Sequence, residues 1–191
     1  MSTLYVDTIT EKTVGNGVHI ADLVLVPNAG SVVQVKQSVK TSPQIIATAW
    51  GFTQLSDLTV NITPTLANST FVITASIHCG SSYFSYGFSI YKDGVDIGPK
   101  GDVAGSNTRI TFGGNTFDAN SGNEDKESRM ETYTYVYDST APAGTSVAFD
   151  IYGAPYNATY PLQINRAADT STTSSARIRG TSTLTVMEIA G

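Results

Sequence analysis

Short runs in which apolar and polar residues alternate with a period of two fill most of the chain. The run "SVVQVKQSV" at Ser31–Val39 is one example, and "LSDLTVNITP" and "STFVITASIHC" follow the same pattern. Such alternation is typical of β-strands that bury one face. The residues that share the predicted buried face are Leu58, Val60 and Ile62 in the second run and Phe71, Ile73, Ala75 and Ile77 in the third.

The remaining runs predict further strands. "YGFSIYKDGVDIG" predicts a hairpin, because Asp93-Gly94 between two strand-like runs is a typical two-residue turn. "TRITFGG", "METYTYVY", "TSVAFDIYG", "YPLQIN" and "STLTVMEIAG" follow in the same style, whereas Ile45–Trp50, followed by Gly51, predicts at most a turn. The longest irregular segment, Gly113–Ser128, predicts a solvated surface loop. Eight or nine short strands with polar connections predict an all-β fold, an antiparallel β-sandwich like a jelly roll.

The first thirty residues differ from this pattern. "VDTITEKTVGNGVHI" consists of two short alternating runs around a Gly-Asn-Gly turn, and "PNAG" after it predicts a linker. We therefore divide the chain into an N-terminal β-stem or attachment segment, residues 1–30, and a β-sandwich head, residues 31–191. The stem has too little apolar surface to form a core alone, so it predicts assembly with partners. Its apolar residues are Leu4, Val6, Ile9, Val18, Ile20, Leu23 and Leu25.

Composition and charge exclude several functions. The 191 residues are 40% hydrophobic, enough for a packed core, and only 14% charged, well under the usual quarter. The net charge is −5 without a basic cluster, so nucleic-acid binding is not expected. No apolar run approaches the ~20 residues that span a bilayer, so membrane insertion is not expected either. The start of the chain lacks a signal peptide and Cys79 is the single cysteine, so we expect synthesis in a reducing cytoplasm.

The residues that could form a nucleophilic or metal site are poorly placed for either. His78 and Cys79 are neighbours on a predicted strand, where successive side chains point to opposite faces. His19 lies far away in the stem, and the usual metal-ligand spacings and catalytic motifs are missing. Cys79 is therefore expected to be a small buried filler.

The carboxylates do not form a convincing catalytic pair. Asp93 and Asp96 flank the hairpin turn, where Asp is favoured for backbone reasons. Glu124, Asp125 and Glu127 lie in a polar loop. Glycan cleavage normally requires two carboxylates facing one another across the bond. We expect no catalytic residues, no metal site, no cofactor and no enzymatic activity.

Tyrosine is the most informative side chain, because its apolar ring and polar tip suit both sugar stacking and subunit interfaces. Tyr133, Tyr135 and Tyr137 share one face of a strand and predict a half-buried ladder. Other aromatic residues cluster near predicted loops, where ligand contact and packing between subunits are both open. These candidate glycan- or receptor-binding residues are Tyr83, Phe84, Tyr86, Tyr152, Tyr156 and Tyr160.

Both ends of the chain resemble proteins of tailed bacteriophages. "STLYVDTITEKTVGNGVHI" resembles a leader with the pattern V-D-T-I…G-V-x-I that is found in many phage fibre and structural proteins. "RGTSTLTVMEIAG" resembles the closing strand of a β-sandwich domain frequent in phages of aquatic bacteria, including cyanophages. "LTVNITPTLANSTFVITASI" and "GFSIYKDG" resemble the central strands and hairpin of that domain. The residues that match the leader pattern are Leu4, Val6, Asp7, Ile9, Thr13, Gly17, Val18 and Ile20.

The resemblance implies a virion protein that forms a homotrimer, with an interwoven β-stem and heads that point outward. It implies that the N-terminal segment attaches to other virion proteins and that the heads meet a host-surface glycan or protein. The matched motifs contain no catalytic residue. The short chain lacks the shaft of a long fibre, which favours a short tail fibre or fibre tip in receptor binding. The alternative is a capsid- or tail-decorating protein that stabilises the particle.

Overall fold

The computed structural model describes residues 27–81, 84–116, 128–167 and 178–191, with the backbone alone at Phe84 and Thr116. These ranges contain strands and no helix. The strands are β1 Val32–Lys40, β2 Gln44–Ile46, β3 Thr53–Ile62, β4 Thr70–Gly80, β5 Phe84–Lys92, β6 Val95–Asp96, β7 Phe112–Thr116, β8 Arg129–Asp138, β9 Val147–Pro155, β10 Leu162–Ile164 and β11 Ser182–Ile189.

The strands form two antiparallel sheets. The first has the order β1-β11-β4-β10-β2. β8 also pairs with β4, along the edge opposite to β11. The second has the order β3-β9-β5-β6, with β7 also paired to β5. The longer strands thus make the layers β1-β11-β4-β8 and β3-β9-β5-β7, between which the chain crosses repeatedly. This is a jelly-roll arrangement and confirms the predicted antiparallel β-sandwich.

The core lies between the two sheets and follows the period-two pattern. Phe71, Ile73, Ala75 and Ile77 are fully buried, as the alternation in β4 predicts. The ring centroids of Phe71 and Phe149 lie 5.2 Å apart across the interior, so the two sheets are joined by aromatic contact.

The predicted tyrosine ladder on β8 is confirmed. Tyr133, Tyr135 and Tyr137 are partly buried and pack against the core. The Tyr133 ring is stacked on Phe112, with the centroids 5.4 Å apart. These side chains therefore contribute to the packing of the head.

The hairpin turn also agrees with its prediction. Asp93 and Gly94 have φ values of 50° and 78°, both in the left-handed region that a two-residue turn of this kind requires. The Asp93 Oδ1 atom accepts a hydrogen bond of 2.8 Å from the Ala148 nitrogen. The role of Asp93 is therefore to tie the turn to the neighbouring strand.

Two sequence predictions need correction. β2 occupies the start of Ile45–Trp50, where only a turn was predicted, because pairing with β10 supplies hydrogen bonds that local sequence does not reveal. β7 occupies the start of the predicted loop Gly113–Ser128, because it pairs with β5. The start of β7 agrees with the strand predicted from "TRITFGG", and only its extension beyond Gly114 does not. β2 and this extension are each defined by a distant partner strand, which the local sequence does not show.

The predicted linker joins the head directly. The Gly30 nitrogen donates to the Ala190 oxygen at 2.8 Å, and the Ala190 nitrogen donates to the Ser31 oxygen at 2.9 Å, so the ladder between β1 and β11 continues to this point. The seven apolar stem residues, from Leu4 to Leu25, lie outside the described residues. The division at residue 30 stays a prediction.

Candidate functional site

An open cleft of about 550 Å³ lies between the loops around Trp50 and Tyr156. The two rings are perpendicular, with their centroids 6.1 Å apart. Hydroxyl, amide and aliphatic groups complete the described part of the lining, in which no side chain is charged: Ser85, Ser106, Asn107, Thr108 and Ile110. A cleft of this volume with aromatic and polar groups is typical of a small-ligand site.

Backbone hydrogen bonds hold the two aromatic residues beside one another. The Tyr156 nitrogen, just after β9, donates to the Ser85 oxygen on β5 at 2.9 Å. The Trp50 nitrogen donates to the Pro155 oxygen at 2.9 Å. Trp50 is half-buried and Tyr156 is 44% exposed, so the pair is anchored at the backbone and accessible at the rings.

The opposite rim of the cleft comes from the connection between β6 and β7. A turn closed by a hydrogen bond of 3.2 Å from the Asn107 nitrogen to the Ala104 oxygen presents the polar side chains. Gly105 in this turn has a φ of 58°, a conformation that glycine adopts without strain. The rim therefore has a defined shape although it belongs to a loop.

Trp50 has an unusual backbone conformation, with a φ of 43°. The other non-glycine residues with positive φ among those the structure describes are Asp or Asn, which tolerate this region. For a bulky side chain the conformation costs about 1–3 kcal/mol, and such strain is concentrated at functional sites. Trp50 is thus held in place against its own conformational preference.

Ile110 lines the cleft and lies directly over Gly87 of β5. A Cβ atom at Gly87 would lie 2.2 Å from the Ile110 Cγ2 atom, far inside van der Waals contact. The glycine is therefore needed for Ile110 to reach its position beside the cleft.

Gly87→Ala is expected to displace Ile110 and destabilise the head by about 1–3 kcal/mol, the usual cost of overpacking. Trp50 is the sole tryptophan, so its fluorescence reports on the same cleft. We expect a lower unfolding temperature and a shifted emission maximum. Gly101→Ala is the matched control, since a Cβ there meets nothing within 4 Å. Identical melting curves for both variants would contradict this account.

Tyr86 is a core residue, and its predicted role at a binding surface is wrong. Its side chain is fully buried, and its hydroxyl donates to the Glu131 Oε1 atom at 2.6 Å. Burial raises the pKa of the Tyr86 hydroxyl far above its usual value. Tyr86 lies on the same side of β5 as Phe88 and Ile90, which are also fully buried.

The other predicted aromatic residues do not form one cluster. The Tyr152 ring stacks on Tyr91, with centroids 3.8 Å apart, away from the cleft lining. Tyr160 is half-buried in a turn where its nitrogen donates to the Asn157 Oδ1 atom at 3.0 Å. Tyr83 lies outside the described residues, and the side chain of Phe84 is not described. Of the predicted residues whose side chains are described, Tyr156 lines the cleft.

The sequence prediction missed Trp50, which is the main aromatic wall of the cleft. Its one visible signal is that the sole tryptophan stands in a connection between strands, next to Gly51. The Ser106–Thr108 rim has no signal in the sequence beyond its polar composition. These residues are brought to Tyr156 by the fold.

Cys79 and His78, the residues with nucleophilic or metal-binding potential, are both buried on β4. Cys79 is fully buried, as expected for a filler, and burial raises the pKa of its thiol to about 12. His78 points to the other face of β4, with its Nε2 atom 3.2 Å from the Ser128 Oγ atom. Within the described ranges, no group of three or more His, Cys, Asp or Glu side chains could hold a metal ion. The same part of the chain contains no helix able to cross a membrane.

Comparison with known proteins yields structural likeness only. No protein-family model and no curated protein matches the chain. The chain is similar to VP2 of an infectious bursal disease virus subviral particle, at 10% identity and a TM-score of 0.42, over 92% of this chain and 37% of that one. A structure of the Gx strain of the same virus gives 12% identity and a TM-score of 0.37, over 91% and 46%. The Eiger TNF of S. frugiperda gives 7% identity and a TM-score of 0.38, over 82% and 93%.

The chain spans less than half of the length of the two viral chains. Every one of these TM-scores lies below 0.5, so the likeness defines no family and carries no argument about function.

Proposed function

We propose that this chain is a bacteriophage virion protein whose jelly-roll head binds a neutral glycan on the host surface through the cleft between Trp50 and Tyr156. The observation that carries the proposal is the pairing of two perpendicular aromatic rings with uncharged hydroxyl and amide groups in one open cleft. The C–H faces of a sugar ring pack on aromatic rings, and its hydroxyls bond to small polar side chains. Because the described side chains of the lining carry no charge, a neutral saccharide fits them better than an acidic one.

The location on a phage virion is supported by the resemblance of the first twenty residues to phage fibre leaders. A jelly roll agrees with this, since the fold is common in viral capsid proteins and in lectins. The protein would act as a homotrimer, in a short tail fibre or fibre tip, with its N-terminal segment attached to other virion proteins. Three identical clefts on one particle give avidity, so weak single-site binding is sufficient for attachment. The role assigned is binding without catalysis.

Purified full-length protein should bind neutral oligosaccharides on a glycan array, and acidic glycans of matched size should give weaker signals. The same soluble protein should compete with phage particles that carry it for adsorption to host cells. Failure both to bind any glycan and to reduce adsorption would contradict the proposal.

A further inference from the structure

We propose that Lys100 is a positioning residue that fixes the width of the cleft, because it ties the polar rim to the segment that carries Trp50. The inference rests on the proposed function and assigns a further residue to its site. The rim is Ser106–Thr108, and the opposite wall is Trp50. Lys100 lies in the same connection as the rim, between β6 and β7, and is not one of the described lining residues.

The Lys100 ammonium group belongs to a polar cluster on the side of β5 that points away from the core. Its Nζ atom lies 2.8 Å from the Asp96 Oδ2 atom and donates a hydrogen bond to the Ser89 hydroxyl. Ser89 is fully buried, and its hydroxyl donates to the Asp96 Oδ1 atom at 2.6 Å. The Ser89 and Thr111 hydroxyls lie 3.1 Å apart. Because Asp96 ends β6 and Thr111 immediately precedes β7, the cluster joins both ends of the connection to β5.

Backbone contacts close the base of the same connection. The Thr111 nitrogen donates to the Phe88 oxygen on β5 at 2.9 Å. The Arg109 Nε atom donates to the Gly101 oxygen at 2.6 Å, which brings the two sides of the connection together below the rim. The rim therefore projects from a base that is fixed to the sheet, and Lys100 lies in that base.

Lys100 also contacts the segment of the other wall. Its Nζ atom lies 5.2 Å from the centroid of the Phe52 ring, within the range of a cation–π interaction. Phe52 stands two residues after Trp50 and immediately before β3, and β9 lies between β3 and β5. The lysine thus spans β9, with Ser89 on one side and Phe52 on the other. One ammonium group couples the base of the rim to the segment of Trp50.

The surroundings of Lys100 suit a residue that sets geometry. The side chains of Lys100 and Asp96 are only 19% and 30% exposed. A charge-assisted hydrogen bond in such a partly covered place is stronger than a neutral one and fixes the geometry of its partners. A ligand that meets a rim already in place loses less conformational entropy on binding than one that must order it. Lys100 therefore acts on affinity through the rim and Trp50, without contact to the ligand.

The test removes the ammonium group from the full-length protein. Lys100→Met should weaken binding of a neutral oligosaccharide by about 10-fold in isothermal titration, because the rim must then be ordered on binding. It should also increase the quenching of Trp50 fluorescence by acrylamide, and Trp50 is the sole tryptophan. Asp96 keeps hydrogen bonds from Ser89 and from the Gly98 nitrogen, so the head should stay folded. Lys100→Arg, which keeps the charge, should restore both values.

Lys92→Met is the matched control. The Lys92 side chain is also 19% exposed and its Nζ atom lies 2.8 Å from the Asp93 Oδ2 atom, but the pair is at the hairpin turn, outside the described lining of the cleft. Affinity and quenching should both keep their wild-type values in this variant. Circular dichroism melting verifies that each variant is folded.

Phe52→Leu tests the contact with the second wall. It should change affinity and quenching in the same direction as Lys100→Met, and the two changes should be less than additive in the double variant. Fully additive changes would overturn the coupling through Phe52.

Higher quenching and weaker binding in Lys100→Met alone, restored in Lys100→Arg, would support the proposal. Wild-type quenching in folded Lys100→Met, or an equal change in Lys92→Met, would overturn it. A wild type that binds glycan, with the same affinity in Lys100→Met, would overturn it and leave the proposed function intact. A wild type that binds no glycan contradicts the proposed function, and the quenching of Trp50 then decides the role of Lys100 by itself.

Discussion

Trp50→Ala is expected to abolish detectable glycan binding while the jelly roll stays folded. The indole is the larger of the two rings that wall the cleft, and Tyr156 is 44% exposed and cannot enclose a sugar alone. Loss of a central aromatic anchor typically costs at least about 2 kcal/mol, or about 30-fold in affinity. In the proposed homotrimer, avidity would multiply this loss on a surface. Isothermal titration with a free oligosaccharide measures the single-site effect, and a glycan array measures the combined one.

Comparing Trp50→Gly with Trp50→Ala separates the loss of the indole ring from the backbone strain at this position. Both small variants lose the ring, but only glycine adopts a φ of 43° without strain. The glycine variant should therefore be more stable than the alanine variant, by about 1 kcal/mol or more, the reverse of the usual order. If Trp50 serves the ligand, Trp50→Phe should keep part of the affinity.

Tyr91→Ala is the matched control for these variants. It removes a ring that stacks on Tyr152, outside the cleft, and glycan affinity should be unchanged. Wild-type affinity in Trp50→Ala, or equal losses in Trp50→Ala and Tyr91→Ala, would show that the cleft is not the binding site.

The second large effect is expected at Glu188, a fully buried carboxylate on β11. Its Oε1 atom accepts hydrogen bonds from the Thr65 nitrogen at 2.9 Å and the Ser69 hydroxyl at 2.7 Å. Its Oε2 atom accepts one of 2.6 Å from the Gln34 amide. The carboxylate therefore ties β1 and the connection between β3 and β4 to the central strand β11.

Glu188→Gln should lower the stability at neutral pH by about 2 kcal/mol, because an amide donor then faces donors that the carboxylate accepted. Gln34 cannot correct this by rotating its amide, since its Nε2 atom also donates to the Thr63 oxygen at 2.7 Å. For a domain of this size the unfolding temperature should fall by about 4–8 °C. Asp138→Asn is the control, an exposed carboxylate with one hydrogen bond, from the Thr70 hydroxyl, and a change within about 0.5 kcal/mol is expected.

The same carboxylate gives the stability a defined pH dependence. Desolvation by burial raises the pKa of Glu188, but the hydrogen bonds donated to the carboxylate outweigh it, and the net pKa lies below the usual 4.5. A carboxyl with a lowered pKa in the folded state stabilises fully above its unfolded pKa. That contribution is lost as the pH falls from about 4.5 through the folded pKa. Urea unfolding between pH 7 and pH 3 should show a steeper acid loss for the wild type than for Glu188→Gln; parallel curves would contradict this role.

Local pattern predicted the strands because the alternation of side chains along a strand has a fixed period, whatever the strand pairs with. The same rule could have corrected Tyr86, which shares its side of β5 with Phe88 and Ile90. Nearness in sequence to Tyr83 does not place Tyr86 at the surface, because strand parity directs its ring into the core.

The period-two rule does not determine which side of a strand meets the core. In β1 the valines point outward and Lys40 is buried, because Ser42 in the next connection and Ser56 on β3 supply hydroxyl partners for the ammonium group. The pattern predicted this strand correctly, but its orientation depends on residues from other parts of the chain.

The amino-acid sequence by itself determined an all-β head, most of its strands, the Asp93-Gly94 hairpin, the buried Cys79 and the face of β4 that forms the core. Each of these features depends on residues only a few positions apart, because a strand repeats its side-chain directions every two residues. Only the tertiary structure decided the sheet order, the buried contacts of Glu188 and the cleft of Trp50, Ser85, Asn107 and Tyr156. The residues of the cleft come from four separate segments, and the pairing of β5 with β9 and β7 brings them together.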